Sequence, residues 1–215
     1  LYPQFSTSTT GSSLSAWRAA GGAEARVPCC FPEHDRFVAA HARLIRESWK
    51  KSGSPSDMRL LLSAHGLPQR TIDAGDPYQW QIERTAEAVG RLLPELPDRQ
   101  ICYQSRVGPL KWIGPSTEEA IERAAADGQG VLLTPIAFVS EHIETLVELD
   151  EEYALLAEKL GVAPYVRVPA LGADAEFVAG LAETVLSALE GPRGLKPPCG
   201  ARICPASFGK CPATA

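Results

Sequence analysis

Short apolar runs alternate with amphipathic segments along most of this chain, and that alternation is the feature that most limits its fold. Residues 59–64, 99–103, 131–137 and 163–168 have the length and apolar content of strands, whereas residues 78–93, 116–126, 141–160 and 173–189 have helical periodicity. Alternating strands and helices form βαβ units. The sequence therefore predicts an α/β fold, a Rossmann-like parallel sheet with flanking helices.

Parallel sheets bind their ligands beyond the carboxyl ends of the strands. Three of the predicted strands are followed by side chains that can do chemistry. His65 follows the first strand, Gln104 and Ser105 follow the second, and Glu141 and His142 follow the third. Because these ends meet at one edge of the sheet, we expect a functional site there.

A row of three acids, Glu144, Glu148 and Glu152, recurs at intervals of four within the predicted helix 141–160. Like charges at this spacing repel by about 0.2–0.5 kcal/mol per pair. Such a row suits either a solvated surface or a wet cavity along which a cation or proton moves. The apolar residues beside it are expected to form a core-facing stripe, namely Ile143, Leu146, Val147, Tyr153, Leu156 and Leu160.

Composition narrows the function classes. The chain has 215 residues, 45% of them hydrophobic and 22% charged, as in ordinary globular proteins. Its formal net charge of −5 argues against nucleic acid as a partner. The longest apolar run, residues 131–139, is too short for a transmembrane segment. The first residues show no basic region followed by an apolar core, so we expect no secretory signal. We expect a cytoplasmic protein and leave peripheral membrane contact and oligomeric state open.

Motifs in a fixed order resemble the ferrochelatase family, whose members insert ferrous iron into a porphyrin. They are YPQFS (2–6), TTGS (9–12), SAHGLP (63–68), GDPY (75–78), QSRVGP (104–109) with Trp112 and GP (114–115), and SEHIET (140–145). The resemblance extends to about Leu189 and implies a chelatase fold. The chain begins at Leu1 and its single methionine is Met58. We therefore expect the C-terminal lobe of a ferrochelatase without its N-terminal lobe.

This resemblance predicts three regions. Residues 1–40 would connect to the missing lobe, residues 41–190 would form the Rossmann-like chelatase domain, and residues 191–215 would form a cysteine-containing tail. Segment 140–153 is more similar to the protoporphyrin-using branch of the family than to the coproporphyrin-using branch.

The resemblance also implies site residues. His65 and Glu144 would face each other across the porphyrin centre as catalytic and metal-handling residues. Imidazole suits removal of the pyrrole protons, and carboxylates suit hydrated Fe²⁺. The division of these roles between the two residues is open. Glu148 and Glu152 would continue the metal or proton path, with ordinary surface acids as the alternative.

Further residues would line or support that site. The resemblance implies that Gln104, Ser105 and Trp112 contact the porphyrin, with Ser105 bonded to a propionate. A core anchor is the alternative for Trp112. Glu141 and His142 would shape the pocket by bonding to the catalytic residues.

Six cysteines occur, and three of them, Cys199, Cys204 and Cys211, lie in the last 17 residues. The tail resembles ferrochelatases that hold a 2Fe-2S cluster on three C-terminal cysteines and one internal cysteine. Four thiolates are the usual ligand set. The fourth ligand would be Cys29, Cys30 or Cys102, with Cys30 assigned here because a loop reaches the tail more easily than a strand end. Zinc and free thiols are the alternatives.

We therefore expect a lyase of haem biosynthesis that inserts ferrous iron into protoporphyrin IX to give protohaem. Activity of the chain without its other lobe is left open. One alternative is a cobalt or nickel tetrapyrrole chelatase. Another is a noncatalytic haem- or iron–sulfur-binding sensor built on half of a chelatase.

Overall fold

The computed structural model describes residues 2–197 and 200–213. The strands within those ranges are β1 (Arg26–Pro28), β2 (Met58–His65), β3 (Arg99–Gln104), β4 (Gly130–Pro135), β5 (Tyr165–Arg167) and β6 (Gly194–Lys196). The α-helices are α1 (Ser12–Ala19), α2 (Asp35–Lys51), α3 (Gln69–Asp73), α4 (Tyr78–Arg91), α5 (Thr117–Ala126), α6 (Ile143–Leu146), α7 (Tyr153–Lys159) and α8 (Ala175–Glu190). Two π-helical segments, Thr7–Gly11 and Glu148–Glu152, adjoin α1 and α7.

The main sheet has four parallel strands in the order β3-β2-β4-β5. Successive side chains of a strand point to opposite faces. Accordingly, Leu60 and Leu62 of β2 belong to one buried cluster, packed with α2 and α4, whereas Leu61 belongs to a second, packed with α5 and α7. Both faces are covered, as expected of a parallel sheet. The predicted α/β, Rossmann-like architecture is confirmed.

A second, smaller sheet pairs β1 with β6 in parallel. It connects a segment near the beginning of the sequence with one near its end. A third buried cluster of Phe5, Cys29 and Cys30 lies beside it, with Leu195 and Ile203 packed against it. The three predicted regions stay a prediction, and their boundary at residue 41 falls inside α2. Among the described residues, no helix is both long and apolar enough to cross a membrane.

The single helix predicted over 141–160 is wrong in its detail. The structure has α6, the π-helical segment Glu148–Glu152 and α7 in succession. The amide of Glu152 donates to the carbonyl of Val147, five residues back, and this wider turn disturbs the α-helical period.

The predicted core-facing stripe is also misplaced. Ile143 is 72% exposed, Leu146 48% and Leu160 39%. The buried positions are instead Leu149, Tyr153 and Ala157. Of the predicted stripe, only Tyr153 is fully buried.

His41 makes folding stability depend on pH. It is 1% exposed, its ring packs edge-on against Phe37, and neither ring nitrogen has a hydrogen-bond partner among the residues that the structure describes. Burial lowers its pKa to about 4, against a weaker opposing effect of Asp174. Between pH 6.5 and 4 the unfolded chain binds a proton that the folded chain does not. Stability is therefore complete above this window and falls with acidification, by up to about 3 kcal/mol.

Urea unfolding at pH 7 and at pH 4.5 measures this effect. We expect His41→Leu to lose most of the difference between the two pH values, and His34→Leu, on a side chain with 20% exposure, to retain it. Equal pH dependence in the wild-type protein and His41→Leu would contradict this explanation.

Candidate active site

A histidine–carboxylate pair stands at the carboxyl edge of the main sheet. His65 is the last residue of β2, and its Nε2 lies 3.5 Å from Oε1 of Glu144. Its Nδ1 lies 2.6 Å from the carbonyl oxygen of Gly66. Because a carbonyl only accepts, this contact places a proton on Nδ1, and Nε2 faces the carboxylate. The two side chains are 37% and 34% exposed, so a ligand can reach both.

His142 stands on the other side of the same carboxylate, with its Nε2 3.8 Å from Oε2 of Glu144. It caps the short helix α6, since its Nδ1 accepts from the amide of Glu144 and its own amide donates to Thr145. Its ring packs edge-on against Phe138 at 4.7 Å. The cap fixes the direction in which Glu144 leaves the backbone.

Gln104 holds this segment to the sheet. Its Nε2 donates to the carbonyl of Glu144 at 2.7 Å, and its Oε1 accepts from Ser63 at 2.9 Å. The side chain belongs to a residue with 0% exposure. Burial gives Gln104 a supporting position in the structure, and its porphyrin contact stays a prediction.

The carboxylate row (Glu144, Glu148 and Glu152) lines one cleft of about 400 Å³. Oε2 of Glu148 accepts from Ser105 at 2.9 Å, and Gln104 and Tyr153 approach it at 3.4 Å. Ser105, predicted to bind a propionate, thus donates to a carboxylate of the row. The row lines an open cleft, and Glu152 is exposed. This setting is compatible with both arrangements that the sequence left open.

A second cavity of about 180 Å³ adjoins the pair. Glu144 lines both cavities, whereas His65 lines only the smaller one. The other residues that line the smaller cavity are Tyr2, Ser6, Ser8, Thr9, Leu67, Tyr78, Ala137 and Phe138. Glu144 therefore connects an acidic cleft with a hydroxyl-rich and apolar pocket.

Asp76 secures the hydroxyl-rich wall, a role that the sequence did not reveal. Its Oδ2 accepts from the amide and hydroxyl of Thr7, both at 2.7 Å, and from the hydroxyl of Ser6 at 3.1 Å. Its Oδ1 accepts from the amide of Tyr78, whose phenol donates to the carbonyl of His65. The signals in the sequence were its place in the GDPY motif (75–78) and an acid directly before a helix whose N-cap is Pro77.

Glu141 lies outside the two cavities and supports α6. Burial opposes its ionisation, but Arg167, Thr145 and the amide of Ala170 together hold the pKa of Glu141 below its usual value. Trp112 is half-buried beside Gly66, where an added Cβ would come within 3.3 Å of the indole. Its Nε1 is buried without a partner among the described residues, and its porphyrin contact stays a prediction.

A cluster of cysteines lies apart from the His65–Glu144 pair. Its members come from the loop after β1 and from the tail. Sγ of Cys29 and Cys30 lie 3.1 Å apart, and Nε2 of Gln81 lies 3.4 Å from Sγ of Cys30 and 3.2 Å from Sγ of Cys204. A hydrogen bond joins these two thiols, and it raises the pKa of Cys30 and lowers that of Cys29. Burial raises the pKa of Cys204 to about 12, and Cys211 interacts with it.

One further cysteine is separate from this cluster of thiols. Cys102 is fully buried in the core between the main sheet and α5, near the hydroxyl of Thr117. Cys199 lies outside the described residues. Within residues 2–197 and 200–213, no three His, Cys, Asp or Glu side chains form a metal-binding group.

The parallel sheet, with a histidine–glutamate pair and a carboxylate row at its carboxyl edge, defines a chelatase-type α/β protein. The ferrochelatase family model matches residues 1–189, and the chain belongs to the ferrochelatase family. It is 55% identical over 213 residues to a ferrochelatase of Phenylobacterium zucineum, covering 98% of this chain and 62% of that protein. It is 57% identical over 215 residues to one of Caulobacter vibrioides, covering 99% and 62%.

These relatives are longer than the chain. The sequence spans about three-fifths of the length of the curated relatives it matches. A solved structure titled "SirB from Bacillus subtilis with Fe3+" aligns with a TM-score of 0.54 and 16% identity, over 87% of this chain and 69% of that one. At that identity the likeness shows a shared fold.

Loss of Asp76 is expected to weaken the fold around the pocket. Asp76→Ala leaves the donors of Ser6, Thr7 and Tyr78 without their acceptor, so we expect a loss of about 2–4 kcal/mol in unfolding free energy. Asp73→Ala removes an exposed acid paired with Gln69 and is expected to change stability by less than about 0.5 kcal/mol. Urea unfolding at pH 7 compares the two, and equal stability of both variants would contradict the role given to Asp76.

Proposed function

We propose that the protein is a ferrochelatase that inserts Fe²⁺ into protoporphyrin IX and so forms protohaem in haem biosynthesis. The observation that carries this proposal is the His65–Glu144 contact at the junction of two cavities. Membership of the ferrochelatase family supports it. The acidic cleft suits a metal ion, and the hydroxyl-rich pocket offers a wall for part of one macrocycle.

His65 is proposed to take the pyrrole protons. Free-base porphyrin must lose two N–H protons as four nitrogens bind Fe²⁺, which balances the charge of the ion. With Nδ1 bonded to the Gly66 carbonyl, Nε2 of His65 is directed away from the backbone and is able to accept a proton. Its position on the pocket wall supports contact with the macrocycle.

Glu144 is proposed to deliver the metal. Ferrous iron accepts oxygen and nitrogen ligands, and Glu144 is the member of the carboxylate row nearest to His65. Glu148 and Glu152 line the same cleft and would bring the cation or carry protons away. His142 and Glu141 orient α6 in this scheme, and Gln104 fixes its backbone.

We also infer a 2Fe-2S cluster held by Cys30, Cys199, Cys204 and Cys211. Four thiolates are the donor set that such a cluster requires, and the approach of the tail to the Cys29–Cys30 loop supports a shared site. A bound cluster would supply one-electron redox chemistry. Cys102 lies in a different buried cluster from Cys29 and Cys30, which argues against Cys102 as the fourth ligand.

Anaerobic insertion of Fe²⁺ into protoporphyrin IX by the full-length protein tests the activity. We expect His65→Ala and Glu144→Ala each to lower kcat by about 10²–10⁴-fold, with porphyrin binding, followed by fluorescence quenching, retained. Glu158→Ala, an exposed acid outside the row, is the matched control and should keep its activity. Porphyrin binding without insertion by the unchanged protein would favour the noncatalytic sensor instead. Preferred insertion of Co²⁺ or Ni²⁺ would favour the other chelatases.

Iron and acid-labile sulfide in the anaerobically purified protein test the cluster. Cys204→Ser and Cys211→Ser should lose both, along with the visible absorption of the cluster, whereas Cys102→Ser should keep them. Comparison of Cys29→Ser with Cys30→Ser identifies the fourth ligand. Zinc in place of iron and sulfide, or thiols without metal, would contradict this assignment.

A further inference from the structure

Strand β5 contacts the π-helical segment Glu148–Glu152 through two side chains. Tyr165 and Arg167 are two residues apart, so they leave the same face of the strand. The phenol of Tyr165 donates to the carbonyl of Leu149 at 2.7 Å. Nε of Arg167 lies 2.8 Å from Oδ1 of Asp150, and its Nη2 approaches Oδ2 at 3.3 Å. Both contacts fall inside the π-helical turn.

Arg167 also reaches the start of α6. Its Nη1 donates to Oε1 of Glu141 at 2.7 Å, and Oε2 of Glu141 accepts from Thr145 at 2.7 Å. The hydroxyl of Thr145 in turn accepts from the amide of His142, next to Glu144. One guanidinium thus joins the segment that carries Glu144 to the segment that carries Glu148.

The π-helical turn sets the direction of the carboxylate row. π-Helical turns are rare and occur mostly as single turns within α-helices, often at functional sites. Glu148 and Glu152 are the first and last residues of this turn. A return to regular α-helix would displace following side chains by about one residue, or roughly 100° around the axis. Such a change would turn part of the row away from the cleft.

Arg167 and Tyr165 constrain the π-helical turn in different ways. The Arg167 side chain is 12% exposed and is shared between two acids, so its removal leaves partly buried carboxylates without their cation. Tyr165 contributes one hydrogen bond to a backbone carbonyl, which fixes the path of the chain. Neither residue lines the acidic cleft or the smaller pocket.

We propose that Tyr165 and Arg167 are positioning residues that clamp the π-helical turn and keep the carboxylate row aligned for delivery of Fe²⁺. This inference rests on the proposed function, since it assigns the row to metal delivery. The inference predicts different effects on the two substrates. Loosening the clamp should impair use of the metal and leave the porphyrin pocket unchanged.

Steady-state insertion assays with the full-length protein test the clamp, varying Fe²⁺ and protoporphyrin IX separately. Tyr165→Phe removes only the hydroxyl, and we expect its KM for Fe²⁺ to rise about tenfold with an unchanged KM for porphyrin. Arg167→Met should raise the Fe²⁺ KM further, and Arg167→Lys should recover part of the loss because it restores the charge without the two-pronged contact. Amide hydrogen exchange over residues 148–153 should quicken in Tyr165→Phe.

Arg59→Met is the matched control. Arg59 is also an arginine of the main sheet shared by two acids, Asp98 and Asp127, and its side chain is 14% exposed. It should lose stability and keep the wild-type KM for Fe²⁺. No insertion by the unchanged protein would overturn the proposed function itself. An active protein whose Tyr165→Phe and Arg167→Met variants keep the wild-type Fe²⁺ KM would overturn the clamp, as would an equal rise in Arg59→Met.

Discussion

The buried amide of Gln104 connects the sheet to the carboxylates. It pairs in register with His65 across two parallel strands, accepts from Ser63 through Oε1, and donates through Nε2 to the backbone of Glu144. The same Nε2 lies near the carboxylate of Glu148. An amide can both accept and donate at one site, which a hydrocarbon or a carboxylate cannot. The distance between His65 and Glu144 therefore depends on an interaction beneath the site.

A second junction lies at the beginning of α4. Asp76 holds the loop that forms one pocket wall, and Gln81, one turn further, accepts from the amide of Phe5 at 2.7 Å. Nε2 of the same Gln81 amide approaches the thiols of Cys30 and Cys204. The tail also contacts this helix start, since the amide of Lys210 donates to the carbonyl of Gly75. One short stretch thus meets both the pocket and the cysteines.

Sequence patterns predicted those parts of the fold that depend on residues close together in the chain. Apolar runs gave β2, β3 and β4, and their parallel pairing brought the residues that follow them to one edge. The π-helical turn was missed because a search for a period of 3.6 assumes regular hydrogen bonding. Ile143 and Leu146, which precede this turn, were also predicted to face the core, but they are exposed.

Long-range contacts were beyond the reach of such patterns. Asp76 meets Thr7 across 69 positions, and Gln104 meets Glu144 across 40. Nothing in the spacing of Tyr165 and Arg167 indicates that both face a helical turn. The proximity of His65 and Glu144 was implied by the family resemblance, because their separation in sequence carries no information about distance in the fold.

The place of Glu144 between two cavities has a kinetic consequence. In the proposed reaction the ion and the macrocycle would reach this carboxylate through separate volumes, so neither would have to pass the other. Such an arrangement permits a random order of addition. It also means that a macrocycle in contact with the smaller pocket would leave the acidic entrance open.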